Sequence, residues 1–363
     1  MFSPATRRNI LRIIPFGIIW FVFSLVYTQL EKGLLGSLDY YPATDNPYNF
    51  ERNIFLTPVF GLVTGLLIGT IEVYILNKLF LHRSFTKKIV FKTLIYLAII
   101  AAFLIALTVN ANAMELGTGF LDKHAWHNTS AFFSDYSVLS VAVYMASIIA
   151  ISQFYNEVSD NIGPVVLLNF FTGKYHRATS EVRIFMFLDM KSSTTIAEHL
   201  GHSRYFELLR NYYADLSDPI VNYSGEIYQY VGDEIVVSWR LKNGLKDNNC
   251  IRCFFAMKTA LQKRAIEYDE QFGVTPSFKA GFHFGTVTTG EIGVIKKEII
   301  FTGDVLNTTA RIQSLCNSYQ VDILLSGDLV NELETRPDIQ FINLGVSELR
   351  GRDEKVELYT IGD

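Results

Sequence analysis

Hydrophobic and polar positions divide the chain into two halves. As far as about residue 155 the apolar residues run almost unbroken in four stretches, roughly Leu11–Leu30, Ile54–Leu76, Ile89–Val109 and Val138–Phe154. Each is long enough to cross about 30 Å of hydrocarbon as a helix. Beyond residue 180 the pattern shortens and alternates. The run RIFMFLDM reads as a buried strand ending in Asp189, and KSSTTIAEHL and SRYFELLRNYYADLSDPIVNY read as helices. EIYQYV and EIVVSW flank Gly232-Asp233 and predict two strands joined by a tight turn. A helix near 247–271, a strand FKAGFHFG, a short strand EIIFTG, a helix VLNTTARIQSLC and further short strands complete the pattern.

These periods predict a four-helix transmembrane domain over 1–155, a connector over 156–180 and a soluble α+β domain over 181–363. Arg7, Arg8 and Arg12 precede the first span, and His82, Arg83, Lys87, Lys88 and Lys92 surround the turn after the second. The other two loops carry Glu31, Asp39, Asp45 and Glu51, then Glu115, Asp122 and Asp135. The positive-inside rule places the N-terminus and the 81–92 loop in the cytoplasm, and an even number of spans returns the second half there. The expectation is a multi-pass protein of the inner (plasma) membrane with both termini cytoplasmic and the lipid bilayer as a partner. The first stretch lacks a small-residue cleavage site and is too long for a signal peptide.

Several local features qualify this outline. Gly61, Gly65 and Gly69 strip side chains from one face of the second span, for a dimer seam or for packing within one chain. Glu72 in that span is expected to snorkel from near its cytoplasmic end. His124 and His127 are placed in an interfacial loop, and Asn128 opens a glycosylation sequon that matters only in a secretory pathway. Gly163-Pro164 ends any helix continuing from the fourth span. The apolar VVLLNFF that follows needs a partner surface. The chain has 363 residues, 49% hydrophobic, with a net charge of −4, which argues against nucleic acid as a partner. Its three cysteines make no disulfide framework. Cys250 and Cys253 fall in a helical pattern and read as packing residues on one helix face.

The second half carries the chemistry. A β-α-β-β-α-β order gives an antiparallel, ferredoxin-like sheet with helices on one face, with its first strand central and beside the hairpin. Asp189 and Asp233 then point into the same space. Two carboxylates with no Arg or Lys between them repel, and Mg²⁺ or Mn²⁺ is the usual remedy for hard oxygen ligands. The next residues, Met190, Lys191, Ser192, Ser193, Thr194 and Thr195, open a helix whose free N–H groups suit phosphate.

FMFLDMKSST, GEIYQYVGDEIVVSW, KAGFHFGTVTTGEIG and FTGDVLNTTARIQ, in this order, resemble the class III nucleotidyl cyclases over roughly 181–363. The most specific piece is the run Gly303, Asp304, Asn307 and Arg311. The resemblance implies that Asp189 and Asp233 hold two Mg²⁺ or Mn²⁺ ions per site. It implies that Arg311 stabilises charge on the α-phosphate and Asn307 orients the ribose. LRGRDEKVELYTI resembles the family's Leu-Lys-Gly ending, with Arg350 or Arg352 meeting the terminal phosphates. It also implies a head-to-tail homodimer, because the metal side and the Asn/Arg side of one site come from different domains. The two purine-reading positions fall on Gln229 and Ile300, which match neither the adenylyl nor the guanylyl pattern, with Thr302 as a nearby substitute. Gln229 can pair with adenine without a charge, or flip to face guanine. The expectation is ATP as substrate, with a guanylyl or mixed-specificity cyclase as the alternative. A degenerate, inactive receptor is disfavoured because Asp189, Asp233, Asn307 and Arg311 are all present.

Overall fold

The computed structural model describes residues 3–42, 47–80, 84–349 and 355–362. The chain divides into two compact units, one of Thr6–Phe171 and one built on Thr172–Asp363. The division falls inside the 156–180 connector.

The first unit is helical: α1 (Pro4–Leu35), α2 (Phe50–Ile71), α3 (Phe85–Glu115), α4 (Lys123–Phe133), α5 (Tyr136–Ile162) and α6 (Pro164–Thr172). Among the described residues, segments of α1, α2, α3 and α5 are the four that are long and apolar enough to cross a membrane. Large apolar side chains such as Phe55, Leu67 and Phe103 are exposed on them, as a lipid-facing surface requires. Gly163, at φ +97°, separates α5 from α6, so the helix stops where the Gly-Pro pair predicts. His124 and His127 lie on α4, not in a loop, because Asp122 caps that helix by accepting the His124 N–H at 2.8 Å.

The structure selects between the two readings of the glycine face. A Cβ on Gly65 would lie 2.5 Å from the Phe16 carbonyl oxygen, and one on Gly61 would lie 2.9 Å from that of Trp20. The glycines admit α1 of the same chain, so this face is not free for a dimer seam. The snorkelling expected of Glu72 is also corrected. Its side chain is fully buried, at the start of a π-helical turn, Glu72–Leu76. Lys92 donates to Glu72 at 2.5 Å, to Asn77 at 2.8 Å and to Glu157 at 3.2 Å. Tyr96 and Gln153 each donate to the other Glu72 oxygen at 3.0 Å. Partners on α3 and α5 thus satisfy the carboxylate inside the bundle, so it has no need to reach the interface.

The second unit is an eight-stranded sheet in the order β2-β3-β1-β4-β6-β8-β7, with β5 added to β4. Its elements are β1 (Thr179–Met190), α7 (Ser193–Asn222), β2 (Glu226–Val231), β3 (Glu234–Arg240), α8 (Asn249–Lys263), α9 (Ala265–Phe272), β4 (Phe278–Ile292), β5 (Glu298–Thr302), α10 (Asp304–Ser314), β6 (Ile323–Ser326), β7 (Phe341–Ser347) and β8 (Val356–Ile361). The ferredoxin-like β-α-β-β-α-β core is present, with β1 central. Two features differ from the expectation. The β4–β6 pair is parallel, so the sheet is mixed. The helix near 247–271 is two helices, broken at Arg264.

Strand alternation sorts the two faces. Ile184, Met186, Leu188 and Met190 of β1 join the core beneath α7 and α8, where Leu208, Tyr212, Phe254 and Met257 are buried. Cys250 and Cys253 lie in that core too, fully buried as packing residues. Phe185 and Phe187 point the other way and pack with Val236, Val287 and Val305. Helices therefore cover both faces and not one, a third departure from the expectation, because α10 takes the second. It sits close there because Gly281 has no side chain: a Cβ would meet the Gln313 backbone nitrogen at 2.3 Å.

Candidate active site

Asp189 continues the Phe185–Phe187 face at the end of β1 and pairs in register with Glu234 of β3 and Lys279 of β4. Asp233 immediately precedes Glu234, at a turn that Gly232 makes possible with φ +62°. Tyr213 of α7 donates to the Gly232 carbonyl at 2.5 Å and stacks on Tyr230 at 4.6 Å. The hairpin tip is thereby tied to the helix that follows Asp189.

The two carboxyls face each other. Burial and then the Asp233 charge push the Asp189 carboxyl above its ordinary range, against the pull of Lys279. Burial, Asp189 and Asp233 push Glu234 up in the same sense. The site does contain a cation, contrary to the expectation of an unopposed pair. Lys279 Nζ lies 3.4 Å from Asp189 and donates to Asn317 at 3.3 Å. Among the described residues no group of three or more His, Cys, Asp or Glu could hold a metal ion. The donor set is a carboxylate pair, which fits Mg²⁺ well, since that ion is commonly held by one or two carboxylates plus substrate phosphates and water.

After β1 the chain turns into α7 through Ser192, which adopts a left-handed conformation and makes no side-chain cap. The N–H groups of the first turn therefore have no side-chain cap from Ser192. The phosphate expectation narrows from its N-terminal side. The Met190 side chain is buried in the core, so any phosphate contact there falls to its backbone. The Lys191 N–H is spent on the Ser277 carbonyl at 2.9 Å, and its ammonium pairs with Asp322, which Lys258 also contacts at 2.9 Å. Ser192, Ser193 and Thr194 remain, with Ser193 beside the Tyr205 hydroxyl.

Asn307 and Arg311 lie on α10, whose buried side is Val305, Thr308, Thr309 and Ile312. At about 100° per residue, Asn307 sits about 200° around the helix from Val305 and Arg311 about 240°. Their shared face turns away from the sheet that carries Asp189. Among the described residues neither side chain has a hydrogen-bond or ion-pair partner.

Gln229 is exposed on β2, Ile300 is half-buried on β5, and the Thr302 hydroxyl donates to the Thr288 carbonyl at 3.3 Å. Arg350 and Arg352 lie outside the described residues. Reading the sequence missed Lys279 and Tyr213. Lys279 is assigned to Asp189 only by the β1–β4 register, which no local pattern encodes.

Residues 174–363 match the family model for the adenylate and guanylate cyclase catalytic domain. Adenylate cyclase 2 of Rhizobium meliloti (strain 1021) is 34% identical over 223 residues, covering 61% of this chain and 61% of that protein. Adenylate cyclase of Anabaena cylindrica is 27% identical over 184 residues, covering 48% of this chain and 36% of that protein. The chain thus spans less than two thirds of either relative. A bacterial light-regulated adenylyl cyclase shares the fold, with a TM-score of 0.54 at 19% identity, covering 63% of this chain and 67% of that one.

Proposed function

The chain belongs to the adenylate and guanylate cyclase catalytic-domain family through residues 174–363, and on that premise we propose that it is a membrane-bound adenylate cyclase. It converts ATP to 3′,5′-cyclic AMP and pyrophosphate for intracellular signalling, from the cytoplasmic side of the inner (plasma) membrane. The observation that carries this reading is the convergence of Asp189 and Asp233 beside Lys279 and the start of α7.

Asp189 and Asp233 hold divalent ions, Mg²⁺ or Mn²⁺ and two per site, which when bound make the ribose 3′-hydroxyl more acidic and offset triphosphate charge. The first turn of α7 offers N–H donors and the hydroxyls of Ser192, Ser193 and Thr194 to phosphate oxygens. Lys279 adds a fixed positive charge at the same place. Asn307 orients the ribose, and Arg311 stabilises the charge that develops on the α-phosphate as the 3′-oxygen attacks and pyrophosphate leaves. Since the Asn307/Arg311 face points away from the chain's own sheet, these two residues serve the carboxylate pair of a second copy. The working unit is a head-to-tail homodimer with two equivalent sites.

ATP is favoured because Gln229 pairs with adenine without a charge, and neither Gln229 nor Ile300 offers a carboxylate to the guanine N1–H and 2-amino group. Assay of the purified full-length chain with ATP and with GTP, under Mg²⁺ and under Mn²⁺, tests the assignment. Cyclic AMP formation well above cyclic GTP formation is expected. The reverse order would make the chain a guanylate or mixed-specificity cyclase, and no product from either would leave a receptor with a cyclase fold.

A further inference from the structure

The β2–β3 ladder pairs Ile227 with Val237 and then Gln229 with Val236, which leaves Tyr228 as the extra residue of a bulge. A bulge re-aims one side chain without ending the strand. Here it shifts Gln229 to the place opposite Val236, while Tyr228 keeps the face that carries α10, where its ring meets Phe301 at 4.7 Å between centroids. The Tyr228 hydroxyl accepts the Phe301 backbone N–H at 3.2 Å.

Phe301 belongs to β5, which among the described residues pairs only with β4, leaving its other edge open there. An unpaired N–H on that edge would need water, and Tyr228 supplies the acceptor instead. Other residues grip the same ring. The Arg183 guanidinium lies 4.7 Å from its centroid, and Phe185 meets it edge-on at 5.5 Å. Arg183 is itself buried and bonded to Glu226 of β2 at 2.8 Å and to Ser238 of β3 at 2.9 Å. Phe301 is thus held to β1 and β2 by the side chains of Arg183, Phe185 and Tyr228.

The neighbours of this contact matter. Gln229 follows Tyr228, and Ile300 precedes Phe301. One bridge therefore sets the spacing between the two strands assigned to the purine. Ile300 has no hydrogen-bonding group, and a free Gln229 amide can flip to suit either purine. Two hydrogen-bonding side chains cannot divide the discrimination between them here. It falls to one amide held opposite an apolar wall at a set distance.

We propose that Tyr228 is a positioning residue for purine selection, holding the Ile300 strand at a fixed distance from Gln229 through the Phe301 N–H. This rests on the cyclase reading above. With the bridge intact the pocket favours one purine. With it cut, β5 relaxes and the pocket admits both.

The test uses the full-length chain and two variants, Tyr228→Phe and Phe301→Leu, assayed for kcat and KM with ATP and with GTP. Tyr228→Phe keeps the stack and removes the acceptor, and Phe301→Leu keeps the N–H and removes the ring. For Tyr228→Phe the ratio of kcat/KM for ATP to that for GTP should move three- to tenfold toward unity, the scale of one lost hydrogen bond. The change should lie in KM, with kcat for ATP within about twofold of wild type. Phe301→Leu should shift the ratio in the same direction, and it decides the matter if Tyr228→Phe does not fold. A ratio unmoved in the folded variants, with both nucleotides slowed equally, assigns Tyr228 a purely structural role and overturns the proposal. Failure of both variants to fold does the same. A wild-type chain that makes no cyclic nucleotide overturns the cyclase reading itself, and this proposal with it.

Discussion

Lys279 holds its ammonium 3.4 Å from the Asp189 carboxylate, directly across the β1–β4 ladder. The relationship explains how two acids can share the end of a sheet. The lysine offsets part of the repulsion that Asp233 exerts on Asp189, yet the Asp189 carboxyl still stays above its ordinary range. Replacing Lys279 by Met should raise KM for ATP about tenfold, the effect of removing one charge-assisted phosphate contact. Steady-state kinetics at saturating Mg²⁺ check this. An unchanged KM would remove Lys279 from the substrate site.

Asp233→Asn should melt higher than wild type near neutral pH in EDTA. A carboxyl raised in the folded state binds protons there that the unfolded chain has already released. Folded stability therefore falls as pH rises through the window above the ordinary carboxylate value. The variant removes the Asp233 part of that rise and leaves the part due to burial. Its advantage should shrink as pH falls toward the ordinary carboxylate range, and Mg²⁺ should stabilise wild type but not the variant. Melting curves across pH, with and without Mg²⁺, measure both effects. A lower neutral-pH melting temperature for the variant would contradict the account.

In the helical unit, Lys92→Met should destabilise strongly, because it leaves Glu72 and Glu157 buried without their shared cation. Breaking a buried pair by removing one partner typically costs about 3–5 kcal/mol. The double variant Glu72→Gln/Lys92→Met should recover part of the loss. Thermal unfolding of the detergent-solubilised chain gives the comparison. Equal stability of wild type and Lys92→Met would mean that the cluster is hydrated.

Gly65→Val should disrupt the same unit by a different route, since even a Cβ would lie 2.5 Å from the Phe16 carbonyl oxygen. The cost should be about 1–3 kcal/mol or more, as for overpacking generally. Gly33, with open space around it, is the control, and Gly33→Ala should be neutral. Similar melting of the two variants would refute the close α1–α2 contact.

Much of this architecture is legible in the sequence, for identifiable reasons. Long apolar runs and the Gly-Pro break report helix length and helix end directly. Gly232-Asp233 between alternating runs reports a hairpin. Asp189 and Asp233 could be paired because strand order alone brings their strands together. What was not legible depends on contacts distant in sequence. Glu72 looked like a terminal charge because its partners Lys92 and Gln153 sit on other helices. The glycine face suited two partners equally until Phe16 and Trp20 were seen against it. Met190 and Lys191 shared a helix-start pattern with Ser192, and only burial and the Ser277 carbonyl separate them. The Tyr228 contact was hidden because Phe301 lies 73 residues further on, and the one-residue bulge moves Gln229 out of a period-two reading of β2.

The central claim, that one site is built from two chains, is tested most directly by mixing inactive partners. Asp233→Ala and Arg311→Ala are each expected to lose activity at least a hundredfold alone. Co-expressed, heterodimers retain one intact site, which takes its carboxylate pair from one chain and Asn307 and Arg311 from the other. With random pairing half of the dimers carry one such site, so cyclic AMP formation should recover to about a quarter of wild type. Activity of the mixture no higher than that of either variant alone would contradict the shared site and return both sets of residues to a single chain.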